Sequence, residues 1–150
     1  MSRLLFLDSS ALVKRYLFEA GSDAVNALFH DPSVHLIIST LALAEVSSAI
    51  VRRLSREQSA LLLDDFDADA KNVLAIAALD DDIALAAVDL VRRRRLRGCD
   101  AVQLAVALHI AAALSDESEA TVGLEFVCAD DALNTAAEAE GLRTMNPTDP

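Results

Sequence analysis

An α/β sandwich of three layers, with helices on both faces of a central parallel sheet, is the fold this sequence predicts. Three observations predict it. The strand candidates are continuous apolar runs rather than alternating ones, as a sheet covered on both faces requires. Helical segments separate them, and such crossovers make the sheet parallel. Hydrophobic residues make up 53% of the chain and aromatics only 4%, so the core is built from Ala, Leu, Val and Ile, which suits helices packed on a sheet. At 150 residues the chain has the length of one ordinary domain, expected to span residues 1–150.

Leu4 to Leu7 reads as a buried strand, and Asp8-Ser9-Ser10 as the start of a helix running toward Phe18. Gly21-Ser22 begins a second helix to about His30, and Asp31-Pro32-Ser33 is a turn. Leu36 to Ser39 is the next strand. Thr40 caps a long buried helix through Val51, with Arg52-Arg53 suited to the last carbonyls. Ser55 caps a more polar helix to about Asp69, Val73 to Ala77 is a strand, and Asp80 to Arg95 an amphipathic helix. Asp100 opens a second buried helix that gives way to a polar loop, Ser115 to Thr121. Phe126 to Cys128 is a strand, and Asp131 caps a helix to Glu140. Gly141 stops that helix before a last strand, Arg143 to Met145.

Composition narrows the function. The two cysteines, Cys99 and Cys128, form neither a disulfide framework nor a thiolate zinc site, so a reducing cytoplasm is the expected location. The four apolar residues before Asp8 are too few for the apolar region of an export signal. The charge-free stretch Ala101 to Ser115 falls short of the roughly 20 residues that span a bilayer, so no membrane association is expected. A net charge of −11 excludes a protein that coats nucleic acid nonspecifically. Cutting RNA would require the 13 basic residues to be concentrated, and Arg92, Arg93, Arg94, Arg95 and Arg97 fall within six positions. That run would hold phosphates, or offset the dipole of its own helix.

Of the 24 acidic residues, most stand in polar stretches, caps or loops, where solvation accounts for them. Four do not. Asp8 ends the run LLFL, Glu45 is the only charge between Leu36 and Val51, Asp100 is the only one between Gly98 and Ser115, and Asp130 follows FVCA. A carboxylate in apolar surroundings must be paired, hydrogen-bonded or metal-bound. Asp8 and Asp130 lie beyond strand carboxyl ends, where open sheets of this kind bind ligands. Glu45, about 7.5 Å along its helix, is within reach of that edge. Four converging acids repel, a divalent cation relieves the repulsion, and oxygen-only ligands select magnesium or manganese. Plain structural roles compete at each position: Asp8, Asp100 and Asp130 as helix caps, Glu45 as partner of a distant Arg.

The chain resembles the PIN-domain family from end to end, and within it the VapC-type toxins of toxin–antitoxin pairs. LFLDSSALVKRY is similar to that family's first-strand motif, TLALAEVSSAI to the helix bearing its second acid, and LRGCDAVQLAVAL to its Leu-Arg-x-x-Asp-Ala motif. FVCADDALNTAAEAEGL with Asn146-Pro147 is similar to its closing segment. The resemblance implies that Asp8, Glu45, Asp100 and Asp130 form the acidic quartet holding magnesium or manganese, and that Ser10 supplies a hydroxyl shaping the site. It further implies endonucleolytic hydrolysis of RNA leaving a 5′-phosphate and a 3′-hydroxyl, inhibition by a cognate antitoxin protein, and a homodimer. Many members carry Thr where this chain has Cys128, a weaker hydrogen-bonding group.

Other readings are weaker. His109, nine residues past Asp100, falls on the opposite helix face, and His30 and His35 flank a turn. A phosphoacceptor or phosphatase fold would place an Asp two residues after Asp8, where Ser10 stands. The rival from another class is a catalytically weak PIN-like domain acting as a protein- or RNA-binding module, which would have no reason to keep four such acids. The helices near Ala11 to Phe18 and Ala42 to Ile50 carry apolar residues beyond what one small sheet can cover, the basis in sequence for expecting a dimer.

Overall fold

The computed structural model describes residues 2–117 and 123–150. In chain order its elements are β1 (Arg3–Leu7), α1 (Ser9–Leu12), a 3₁₀ turn (Val13–Arg15), α2 (Ser22–His30), β2 (Val34–Ser39), α3 (Thr40–Arg53) and α4 (Arg56–Asn72). There follow β3 (Ala75–Ala77), α5 (Asp81–Arg94), α6 (Gly98–Glu117), β4 (Leu124–Val127), α7 (Asp131–Ala139) and β5 (Arg143–Met145). All strand pairings are parallel, in the order β3-β2-β1-β4-β5.

The apolar strand runs divide between two cores because successive side chains point to opposite faces. Leu5 and Leu7 pack with Leu36, Ile38 and Val127 against α1–α4. Phe6 points the other way, joining Phe126, Leu124 and Cys128 against α5–α7. The three-layer sandwich expected from sequence is therefore the one observed.

Several boundaries moved for local reasons. The first helix stops at Leu12 and tightens into the 3₁₀ turn instead of reaching Phe18. Gly21 follows at φ +90°, where a Cβ would sit 2.9 Å from the Pro147 carbonyl oxygen, so only glycine fits. Ser39, not Thr40, caps α3, its hydroxyl accepting from Ala42 N–H. Ser55 caps α4 as expected, reciprocated by Gln58. Asp130, not Asp131, caps α7.

The buried helix begins at Gly98, two residues before Asp100, and reaches Glu117. Residues 115–117 of the expected polar loop are thus helical, and 118–121 lie outside the described residues. By length and composition the 20-residue α6, charged ends included, is long and apolar enough to cross a membrane, whereas its charge-free stretch Ala101 to Ser115 is shorter. Its stretch Gln103–Ala107 is buried in the core shared with α5, α7 and the sheet.

Candidate active site

The strand order reverses beside β1: the chain moves outward through β2 and β3, then returns to place β4 on the other side. A crevice opens beyond the carboxyl ends at such a point. Asp8 is the first residue past β1, and its N–H donates to Val127 O at 2.9 Å, bringing the ends of β1 and β4 side by side. Asp130 stands three residues past β4.

Asp8 is only 4% exposed. It caps α1, its Oδ2 accepting from Ser10 N–H at 3.0 Å and from the Ser10 hydroxyl at 2.6 Å. The Cys128 thiol lies 3.6 Å from the same oxygen. Burial pushes the Asp8 carboxyl above the usual carboxylate range; the Ser10 hydrogen bonds oppose this, and the Glu45 charge adds to it. Ser10 Oγ also accepts from Ala129 N–H at 3.0 Å, tying the start of α1 to the end of β4. Cys128 Sγ accepts from Asp130 N–H at 3.3 Å and approaches Ser10 Oγ at 3.5 Å, so the thiol touches three parts of the site. Burial and the Asp8 charge push this thiol up to about 12, which keeps it protonated at neutral pH.

Glu45 projects from the second turn of α3 and is half-buried. Its Oε1 accepts from the Ser9 hydroxyl at 2.8 Å and from Gln103 Nε2 at 2.9 Å, not from a distant arginine. Asp100, half-buried in the first turn of α6, does not cap that helix. Its carboxyl is raised by burial first, then by the charges of Asp8 and Asp130, with Arg97 opposing and Glu45 adding. Asp130 departs from the sequence argument: it is exposed, so no burial cost demands a partner, and its Oδ1 accepts from Leu133 N–H at 2.9 Å as an ordinary helix cap.

The four acids thus share one electrostatic neighbourhood, and among the described residues none of them forms an ion pair. Hydrogen bonds hold one oxygen each of Asp8, Glu45 and Asp130, leaving their other oxygens and both of Asp100 without one among the described residues. Oxygen donors of one charge fit a hard divalent cation in chemistry and in sign. As they stand, no three acidic, histidine or cysteine side chains among the described residues are gathered closely enough to enclose an ion.

The arginine run divides. Arg93 forks onto Glu140 at 2.8 and 3.0 Å, and Arg94 reaches Glu140 at 3.0 Å and the Ala139 carbonyl at 3.3 Å, clamping the end of α5 to that of α7. Arg95 closes α5 in a left-handed conformation. Arg92, Arg95 and Arg97 are exposed and make no ion pair among the described residues. His30, His35 and His109 are exposed, and both cysteines are free thiols.

Sequence reading overlooked the polar residues behind the acids. Gln103 is fully buried and joins Ser9, Ser39 and Glu45. Buried Asn134 donates to Cys128 O at 2.8 Å, its own Oδ1 without a partner among the described residues. The available signal was Gln103 itself, a lone amide three residues past Asp100 in an apolar helix.

A parallel sheet whose switch point gathers carboxylates beyond β1 and β4 defines a class: α/β proteins with an open acidic site at the sheet's carboxyl edge. The chain belongs to the PIN-domain family, whose model matches residues 5–118. Among solved structures it is similar to VapC20 of Mycobacterium tuberculosis, a toxin described as cleaving the sarcin–ricin loop, with a TM-score of 0.67 and 16% identity over 95% of this chain and 99% of that one. It is also similar to FitAcB from Neisseria gonorrhoeae, with a TM-score of 0.64 and 16% identity over 95% and 97%. A third likeness is VapBC2 from Rickettsia felis bound to a fragment of its promoter DNA, with a TM-score of 0.61 and 16% identity over 95% and 98%. At these identities the likeness is one of fold. No curated protein matches the sequence.

Proposed function

We propose that this protein is a magnesium- or manganese-dependent endoribonuclease hydrolysing RNA phosphodiester bonds, and the toxin of a toxin–antitoxin pair. The observation carrying the proposal is that two carboxyls at the switch point of a PIN-domain sheet are raised, Asp8 by burial and the Glu45 charge, Asp100 by burial and the charges of Asp8, Asp130 and Glu45. The metal, when bound, supplies Lewis acidity toward the phosphate and makes water a better nucleophile at neutral pH. Asp8 offers one oxygen, its other held by Ser10; Glu45 offers one, its other held by Ser9 and Gln103. Asp100 and Asp130 complete the acidic wall. Arg92, Arg95 and Arg97, left over from the Glu140 clamp, hold RNA phosphates just ahead of Asp100.

A second reading, a catalytically weak RNA- or protein-binding module, is favoured by the spacing of the acids, which as they stand enclose no ion among the described residues. One assay separates the two. Purified protein is expected to cleave single-stranded RNA with magnesium or manganese and to stop when a chelator is added. Binding without cleavage in either metal supports the module, and undiminished cutting in chelator removes the carboxylate mechanism.

Association with an antitoxin, and a place in a reducing cytoplasm, belong to the same proposal; a small reading frame beside the gene would support the pairing. The homodimer stays in it on altered grounds. Most of the apolar residues expected to be surplus, including Leu12, Leu17, Val46 and Ile50, are buried in the chain's own core. Of the large apolar residues in the two stretches Ala11 to Phe18 and Ala42 to Ile50, Phe18 stays outside, 89% exposed, with Val51 just past the second stretch 51% exposed. Light scattering at micromolar concentration is expected to report two copies, and a monomer would remove the dimer.

A further inference from the structure

We propose that Gln103, acting with Ser9, is a positioning residue that aims the Glu45 carboxylate into the acidic site; this rests on the metal-site reading above. The hydrogen-bond pattern permits one arrangement of the amide. Ser39 Oγ accepts from Ala42 N–H at 3.2 Å, so its hydroxyl proton is available to Gln103 Oε1 at 2.7 Å. That places Nε2 on the other side, donating one proton to Ser9 Oγ at 2.8 Å and the other to Glu45 Oε1 at 2.9 Å. Ser9, having accepted from Gln103, passes its own proton to the same Glu45 oxygen at 2.8 Å.

Every donor and acceptor of the amide is thereby used, in a residue that is wholly buried. A fully connected buried network specifies one geometry, because any rotation strands a polar group away from water. The network ties four elements to one carboxylate: the end of β2 through Ser39, the start of α1 through Ser9, α3 through Glu45 itself, and α6 through Gln103. Three residues before Gln103 on α6 stands Asp100, so the helix that presents one acid also aims another. Two donors on Oε1 leave Oε2 without a hydrogen bond among the described residues. Partners behind a metal ligand commonly set its orientation and basicity, and their loss costs roughly 10- to 100-fold in metal affinity.

Manganese affinity, measured by titration calorimetry on the full chain at a temperature where circular dichroism shows each variant folded, tests the assignment without reference to activity. Gln103→Met, near-isosteric and unable to donate, is expected to bind manganese roughly tenfold more weakly. Ser39→Ala, which removes a bond from the far side of the amide, is expected to lose stability but much less affinity. A residue that only filled the core would lower stability in both variants and leave affinity unchanged in both, which overturns the proposal. Should Gln103→Met fail to fold, Ser9→Ala decides: several-fold weaker binding supports the network, and wild-type affinity overturns it. Glu45→Gln separates the two levels of the argument. If it leaves manganese binding intact, Glu45 is no ligand and the site reading itself fails; if it weakens binding while Gln103→Met and Ser9→Ala do not, only the positioning role fails.

Discussion

Asp8→Asn is expected to reduce RNA cleavage by at least ~100-fold, the equivalent of about 3 kcal/mol of transition-state stabilisation, while leaving the metal-free fold as stable as before or more so. Asp8 is the most buried of the four acids, and burial together with Glu45 disfavours its charge. The amide keeps an oxygen to accept from Ser10 and to cap α1, at little cost, and it carries no charge. Each unit by which a native carboxyl is raised corresponds to about 1.4 kcal/mol of stability withheld at neutral pH.

The sign follows from linkage. Asp8 and Asp100 are raised above the ordinary 3.8, so above that pH the native state holds more protons than the unfolded chain. Metal-free stability must therefore fall as pH rises from about 3.8 through their native pKa values. The lowered groups Glu19, Asp31 and Glu140 act in the opposite sense, but their contribution is lost only as pH falls below their ordinary values, 3.8 or 4.5. Asp8→Asn is expected to flatten the decline and to abolish the rise in melting temperature that magnesium gives the wild type through binding the native state. Melting curves with and without magnesium, from pH 4 to 8, check both points. An undiminished magnesium response in the variant would make Asp8 a helix cap and nothing more.

Phe6→Ala is expected to cost about 3–5 kcal/mol, lowering the melting temperature by roughly 6–20 °C for a chain of this size. Phe6 is wholly buried on β1, at the centre of the sheet, with its ring stacked on Phe126 at 5.8 Å. With few aromatics in the chain, smaller neighbours such as Leu104 and Ala105 cannot fill the space it leaves. Phe6→Leu retains most of the buried area and is expected to lose less than half as much. Thermal and urea unfolding of the two variants test this, and equal stability of Phe6→Ala and wild type would mean that the second core closes without the aromatic stack. A large loss would leave too little folded protein at 37 °C for activity measurements to be read as site chemistry.

Periodicity and apolar runs sufficed for the layers, the parallel sheet, most helices and the stretches bearing Asp8, Glu45, Asp100 and Asp130, because those signals are local: a run of four apolar residues before a capping Asp is a strand end in any context. Boundaries were less legible where two local choices nearly tie. Ser39 and Thr40 are both good caps, and so are Asp130 and Asp131; in each pair the first residue keeps an extended backbone and its side chain takes the cap bond. Burial of each acid was not local at all. Asp8 and Asp130 both follow apolar strands in the sequence, yet Asp8 is enclosed by Ser10, Cys128 and the end of β4 while Asp130 faces solvent. The division of the arginine run, two onto Glu140 and three left free among the described residues, depended on where α7 ends, 45 residues further along the chain. The hub at Gln103 joins Ser9, Ser39 and Glu45 across separations of 94, 64 and 58 residues. The sequence by itself determined which elements form and which residues carry charge into apolar surroundings; only the tertiary structure decided which of those charges are buried and what holds them, because hydrogen-bond partners and dielectric are set by what folds alongside.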